Sequence, residues 1–139
     1  MADKAFFDTN VLVYAFERED LPRQRAASAV LDAALSQGTA VLSLQVLQEF
    51  YVVTTRKIRL PLPPAAARAA VAGFMSFSVF EPNAVHVLRA IDLSIAHRIS
   101  FWDALILASA AAAGCALLYS EDFATGQTLA GVRVVNPFH

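Results

Sequence analysis

A single cysteine, Cys115, leaves the chain without an internal disulfide, and its position in the middle of apolar sequence fits a reducing compartment. A cytoplasmic location is the expectation that follows. Charge is sparse as well. Charged residues make up 17% of the chain, 11 basic against 12 acidic, for a net charge of −1. That balance excludes the overall positive charge of a sequence-independent nucleic-acid binder, so any such contact must be local. So few charges also leave little polar cover for the outside, and a homodimer or partner-bound protein is expected over a lone monomer. The longest apolar stretch, residues 104–119, has 16 positions including Ser109 and Gly114. A bilayer span needs roughly 20, so no membrane segment is expected. The opening MADKAFFD has an acid among its first residues and no long apolar run before a small-residue cleavage site, so no export signal is visible. Zinc spacing is missing too: His86 and His97 share a predicted helix without metal spacing, and His139 ends the chain, so none is a good catalytic candidate.

What the chain has in quantity is apolar residues, 57% of the total with a mean hydropathy of +0.50, much of it alanine. At 139 residues it reads as one domain, 1–139, able to bury roughly 68–70% of the surface of its unfolded chain. No linker, repeat or low-complexity tract divides it.

The pattern alternates between strand and helix. Residues 4–7 form a short apolar run ending at Asp8, and Thr9 and Asn10 offer cap chemistry for a helix over 11–16. Pro22 opens a second helix that Gly38 closes, and 39–42 reads as a strand. Ser43 can cap a helix in which Val46, Glu49, Phe50 and Val53 fall on one stripe, although the β-branched run 52–55 argues partly for strand. After the proline break at 61–64 an alanine-rich helix starts at about Pro63, followed by a short strand at 78–80. Asn83 caps a helix through about Arg98, and Ser100 caps another that ends at Gly114. Strands at 116–119 and 132–135 complete the series. Strands separated by helices imply an α/β fold, a three-layer sandwich with a small parallel sheet covered on both faces.

Against this background four carboxylates stand out: Asp8 in FFDTNVL, Glu49 in VLQEFYVV, Asp103 in FWDALIL and Asp122 in LLYSEDF. They occupy apolar segments where core is expected, and none has a Lys or Arg within three residues. Each has an ordinary structural explanation. Asp8 can be a helix N-cap, Asp103 part of a capping box begun by Ser100, Glu49 the edge of its stripe, and Asp122 a turn residue. Together they mean more, because ligands of parallel α/β sheets gather beyond the carboxyl ends of the strands, where all four can meet. Two like charges about 4 Å apart at an effective dielectric near 20 repel by about 4 kcal/mol, and several such pairs rival a domain's whole stability of about 5–15 kcal/mol. A cluster of this kind must bind cations or stay partly protonated. Oxygen ligands favour Mg²⁺ or Mn²⁺ over zinc, and the chemistry such sites serve is hydrolysis or transfer at phosphorus.

With these residues in view, the sequence resembles the PIN-domain ribonucleases, and specifically the VapC-type toxins of bacterial toxin–antitoxin pairs. FFDTNVLVYA, SLQVLQEFYVVTTRK, FWDALILASA and LLYSEDFATGQ with GVRVVNPF match the family's blocks in order over nearly the whole chain. The resemblance implies that Asp8, Glu49, Asp103 and Asp122 form a catalytic, metal-holding cluster, with Asp8 and Asp103 the surest ligands. Asn10 and Ser120 correspond to supporting polar positions. It further implies Mg²⁺- or Mn²⁺-dependent cleavage of RNA, a cognate antitoxin and a homodimer. The basic group Arg56, Lys57 and Arg59 follows Glu49 and is a candidate for flanking phosphates. Phe101 and Trp102 adjoin Asp103, with core packing the first expectation and base stacking the second. Tyr14, Phe16, Phe50 and Tyr51 are expected in the core or a dimer interface.

Two other functions fit parts of the pattern. A haloacid-dehalogenase-type phosphatase also opens on a strand ending in Asp, but it needs a second Asp two residues later, where this chain has Asn10. A non-catalytic metal-binding protein that docks a partner through its apolar surface is the alternative from a different class.

Overall fold

The computed structural model describes residues 2–138, so His139 lies outside the described residues. The elements run β1 (Ala5–Phe7), α1 (Thr9–Ala15), α2 (Leu21–Gln37), β2 (Ala40–Ser43), α3 (Leu44–Arg56) and α4 (Pro64–Phe74). They continue with β3 (Ser78–Phe80), α5 (Ala84–His97), α6 (Phe101–Ala112), β4 (Leu117–Tyr119), β5 (Thr128–Leu129) and β6 (Val132–Val135). Side-chain caps set several of these starts: Asp20, Ser43, Asn83 and Ser100 each accept a backbone N–H of the first turn that follows. Gly38 ends α2 in the left-handed conformation, φ 70°, where a side chain would be strained. His86 Nδ1 accepts the Asn83 N–H at 2.9 Å and completes a capping box.

Six strands form one sheet in the order β3-β2-β1-β4-β6-β5. Every pairing is parallel except β5 with β6. The strands are short and apolar because helices cover the sheet: all of β1 and β2 is buried. Phe6, Leu42 and Leu118 lie at the centre of the core, fully buried. Beside them Phe16, Phe50, Phe74 and Phe77 pack edge to face with ring centroids 5.0 to 5.9 Å apart, joining α1, α3 and α4. Among the described residues no helix is long and apolar enough to cross a membrane.

One local feature departs from the sequence reading and a second keeps to it. The antiparallel strand β5 is joined to β6 by Ala130 and Gly131, with φ of 51° and 78°, the two-residue turn that matches strand twist. The β-branched run at the end of α3 stays helical, because Thr54 and Thr55 turn their hydroxyls onto the Phe50 and Tyr51 carbonyls at 2.7 Å each.

The strand order places the site. From β1 the chain proceeds to β2 and β3 on one side, then returns to β4 on the other, so the sheet has its switch point between β1 and β4. A crevice opens there beyond the carboxyl ends of the two strands.

Candidate active site

Asp8 and Ser120 are the residues that directly follow β1 and β4, strands held in register through Phe7 and Tyr119. The Asp8 amide donates to the Tyr119 carbonyl at 2.9 Å, which extends the ladder by one bond into the crevice. Asp8 is only 4% exposed. Its Oδ1 accepts the Thr9 N–H at 2.7 Å and its Oδ2 accepts the Ser120 hydroxyl at 2.7 Å. Burial pushes the Asp8 carboxyl up from 3.8 to about 7; repulsion from Asp122 and Asp103 adds to the rise, against the two hydrogen bonds.

The other acids stand around this one. Glu49 is half-buried on α3, its Oε1 accepting Gln45 Nε2 at 2.6 Å, with the Thr9 hydroxyl at 3.5 Å from Oε2. Asp103, half-buried in the first turn of α6, donates its amide to the Ser100 hydroxyl at 3.1 Å. Burial first, and Asp122 second, raise its carboxyl. Asp122 Oδ2 accepts Asn10 Nδ2 at 3.1 Å, and its amide donates to Ser120 Oγ at 3.0 Å. All four acids line one cleft of about 440 Å³, with Glu17 and Glu121 added to them. Asn10 and Ser120 thus each bond one of the carboxylates, Asp122 and Asp8.

The expectation of four acids in core positions holds for Asp8 alone. Glu49 and Asp103 are half-buried on α3 and α6 and Asp122 is exposed in the loop after β4, because all three line the open cleft. The basic group also divides. Lys57 is the cation lining the cleft, whereas Arg56 is exposed in the last turn of α3 and Arg59 pairs with Glu19 at 3.4 Å. Trp102 is 63% exposed at the cleft rim instead of packed in the core. Phe50 is buried as expected, while Tyr51 is 40% exposed and Tyr14 lines the cleft, donating to Glu121 Oε1 at 3.1 Å.

Sequence reasoning missed Gln45 and the bonding of Thr9. Gln45 Nε2 bridges Glu49 and the Trp102 carbonyl, at 2.6 and 3.1 Å. Its place one helical turn before Glu49 was the available signal.

Among the described residues, no three His, Cys, Asp or Glu side chains are placed so that they hold a metal ion. The donor chemistry nonetheless fits a hard divalent cation. The lining offers carboxylate and amide oxygens, and burial first, with repulsion from neighbouring acids second, raises the carboxyls of Asp8 and Asp103. Two buried acceptors of the same cleft, Glu17 Oε1 and Gln45 Oε1, have no donor among the described residues.

The PIN domain family matches residues 5–125, most of the chain. The chain belongs to the PIN domain family. Solved structures agree in fold. VapC20 of Mycobacterium tuberculosis, a sarcin-ricin loop cleaving toxin, is 22% identical with a TM-score of 0.70, covering 86% of this chain and 90% of its own. A toxin–antitoxin complex from Klebsiella pneumoniae is 24% identical, TM-score 0.70, over 96% and 98%. VapBC2 of Rickettsia felis bound to promoter DNA is 15% identical, TM-score 0.68, over 94% and 96%. No curated protein matches the sequence. In this PIN domain the acids come from β1's end, α3, α6 and β4's end, four segments that only the parallel topology brings to one crevice. Membership also sets aside the haloacid-dehalogenase alternative, since Asn10 is a carboxylate holder here.

Proposed function

We propose that this PIN domain is a Mg²⁺- or Mn²⁺-dependent endoribonuclease and the toxin of a toxin–antitoxin pair, working in the cytoplasm as one unit across residues 1–139. The observation that carries the reading is the convergence of Asp8, Glu49, Asp103 and Asp122 on one cleft at the sheet's switch point. The solved relatives described above, a loop-cleaving toxin and toxin–antitoxin complexes, share this fold. The chemistry a divalent ion would supply there is polarisation of the phosphodiester and acidification of a water molecule. Asp8 and Asp103 would hold the ion, with Glu49 and Asp122 completing the acidic shell. Asn10 and Ser120 keep Asp122 and Asp8 pointed inward, and Lys57 offers one positive charge to a flanking phosphate.

Partners are supported by the outer surface. On α5, Val85, Leu88 and Ile95 are 63–73% exposed along one helix, an apolar face that a second copy or an antitoxin would cover. Cleavage of an RNA mixture by purified protein with Mg²⁺ or Mn²⁺, beside Asp8→Asn and Asp103→Asn, tests the enzyme. Wild type should cut and both variants should not; equal cutting assigns the activity to a contaminant. Induction in cells should arrest growth, with relief by the neighbouring upstream reading frame, and a harmless product would overturn the toxin role.

A further inference from the structure

Trp102 stands at the junction of two depressions. Beside the acid cleft lies a second hollow of about 400 Å³, and the two share Gln45, Glu49, Val53, Lys57 and Trp102. Gln48 and Val52 complete the second wall. Among the described residues, Lys57 is the only cation lining either hollow. A large apolar ring is costly to leave in water, and this one is 63% exposed beside a hollow walled by valines, amides, one ammonium and, on the side shared with the acid cleft, the Glu49 carboxylate. Those groups match the parts of an unpaired nucleotide: a π-face for the base, amides for its polar edge and a positive charge for its phosphate.

The backbone that carries the ring is also tied to the acids. Phe101 meets the indole edge to face with centroids 5.1 Å apart. The Trp102 main-chain carbonyl and Glu49 Oε1 accept from the same amide, Gln45 Nε2, so the start of α6 and an acid of the cleft share one side chain. Trp102 and Asp103 both line the acid cleft, so a base held by the indole lies at the edge of the acid cluster.

We propose that Trp102 and Lys57 form a nucleobase subsite in which one unpaired base of the RNA stacks on the indole while Lys57 meets the adjacent phosphate. The proposal rests on the ribonuclease reading and adds to it the residue that seats the nucleotide. Gln45 is the positioning residue behind it.

Trp102 is the only tryptophan of the chain, so its emission reports this site alone. In the cleavage-disabled Asp8→Asn protein with Mg²⁺, single-stranded oligouridylate and oligoadenylate should quench that emission saturably, and an abasic ribose-phosphate oligomer should not. In the otherwise wild-type protein, Trp102→Ala should raise KM for RNA roughly 5- to 150-fold, the range set by base–aromatic stacking, with a smaller change in kcat. Trp102→Phe should recover most of the loss, and Lys57→Ala should raise KM and weaken its salt dependence. Emission unmoved by RNA, with KM unchanged in Trp102→Ala while cleavage persists, overturns the subsite and leaves the ribonuclease standing. Unchanged KM together with a smaller particle in size-exclusion chromatography reassigns the ring to contact between copies and also overturns it. Wild type that neither cuts nor binds RNA removes the enzyme and the subsite together.

Discussion

Ser120 and Asp8, 112 positions apart in sequence, meet in a buried hydrogen bond of 2.7 Å. The serine donates to Oδ2 of the aspartate and accepts the amide of Asp122, so one hydroxyl orders two of the acids. Ser120→Ala removes the bond that lowers the Asp8 carboxyl, which should titrate still higher. Loss of a buried partner should cost about 1–3 kcal/mol in urea unfolding. Metal affinity or cleavage should fall about 10- to 100-fold, as for other residues that orient ligands. Unchanged stability and rate would show that the bond does neither job.

Asp8 makes the fold sensitive to pH without metal. Its carboxyl is raised from 3.8 to about 7 in the folded chain, so folding favours the protonated form. The stabilising contribution is fully present below 3.8 and is lost as pH rises through about 7. Its size is on the order of 4 kcal/mol between those limits. In chelator, the urea midpoint should therefore drop between about pH 5 and about pH 8, and Asp8→Asn should flatten the drop. Mg²⁺ should raise the midpoint more at the higher pH, because it binds the ionised form. A wild-type midpoint as flat as that of the variant would contradict this.

Gln45 is buried and holds Glu49 and the Trp102 carbonyl with one amide. Gln45→Leu keeps the volume and leaves both acceptors without that donor. Stability should fall by about 1–3 kcal/mol, and kcat/KM should fall about 10- to 100-fold as Glu49 loses its orientation. Full activity in steady-state kinetics would remove Gln45 from the positioning of the acid.

Phe50 neighbours Glu49 in sequence and is fully buried against Phe16 and Phe74. Phe50→Ala should cost about 3–5 kcal/mol, measured by chemical denaturation, because truncation opens a cavity where three helices meet. A loss below about 1 kcal/mol would mean that the aromatic cluster collapses around the gap.

Helix starts were legible because their signals are local: Ser43, Asn83 and Ser100 each bond the turn that follows them. The four acids were legible because a carboxylate in an apolar segment needs a reason, whatever the fold. Their unequal burial was not, since exposure depends on how far each element's edge reaches over the crevice. Trp102 shows the same limit: α6 is buried from Ala104 to Ala110, and no periodicity told that its first turn overhangs the cleft. The basic run failed differently. The chain leaves α3 at Arg56, so Arg56, Lys57 and Arg59 do not continue one helical face, and of the three only Lys57 lines the cleft. β5 is two residues long, too short to carry any alternation.

The order of strands also governs when the pocket comes into being. β1 precedes β4 by more than a hundred residues yet has it as one neighbour, and Ser120 and Asp122 come only after β4. During translation Asp8 therefore waits for more than a hundred further residues before its serine partner exists. A chain that stops short of residue 122 therefore has no completed acid cluster, and the cleft closes into one site only when the segment around Ser120 and Asp122 joins β1.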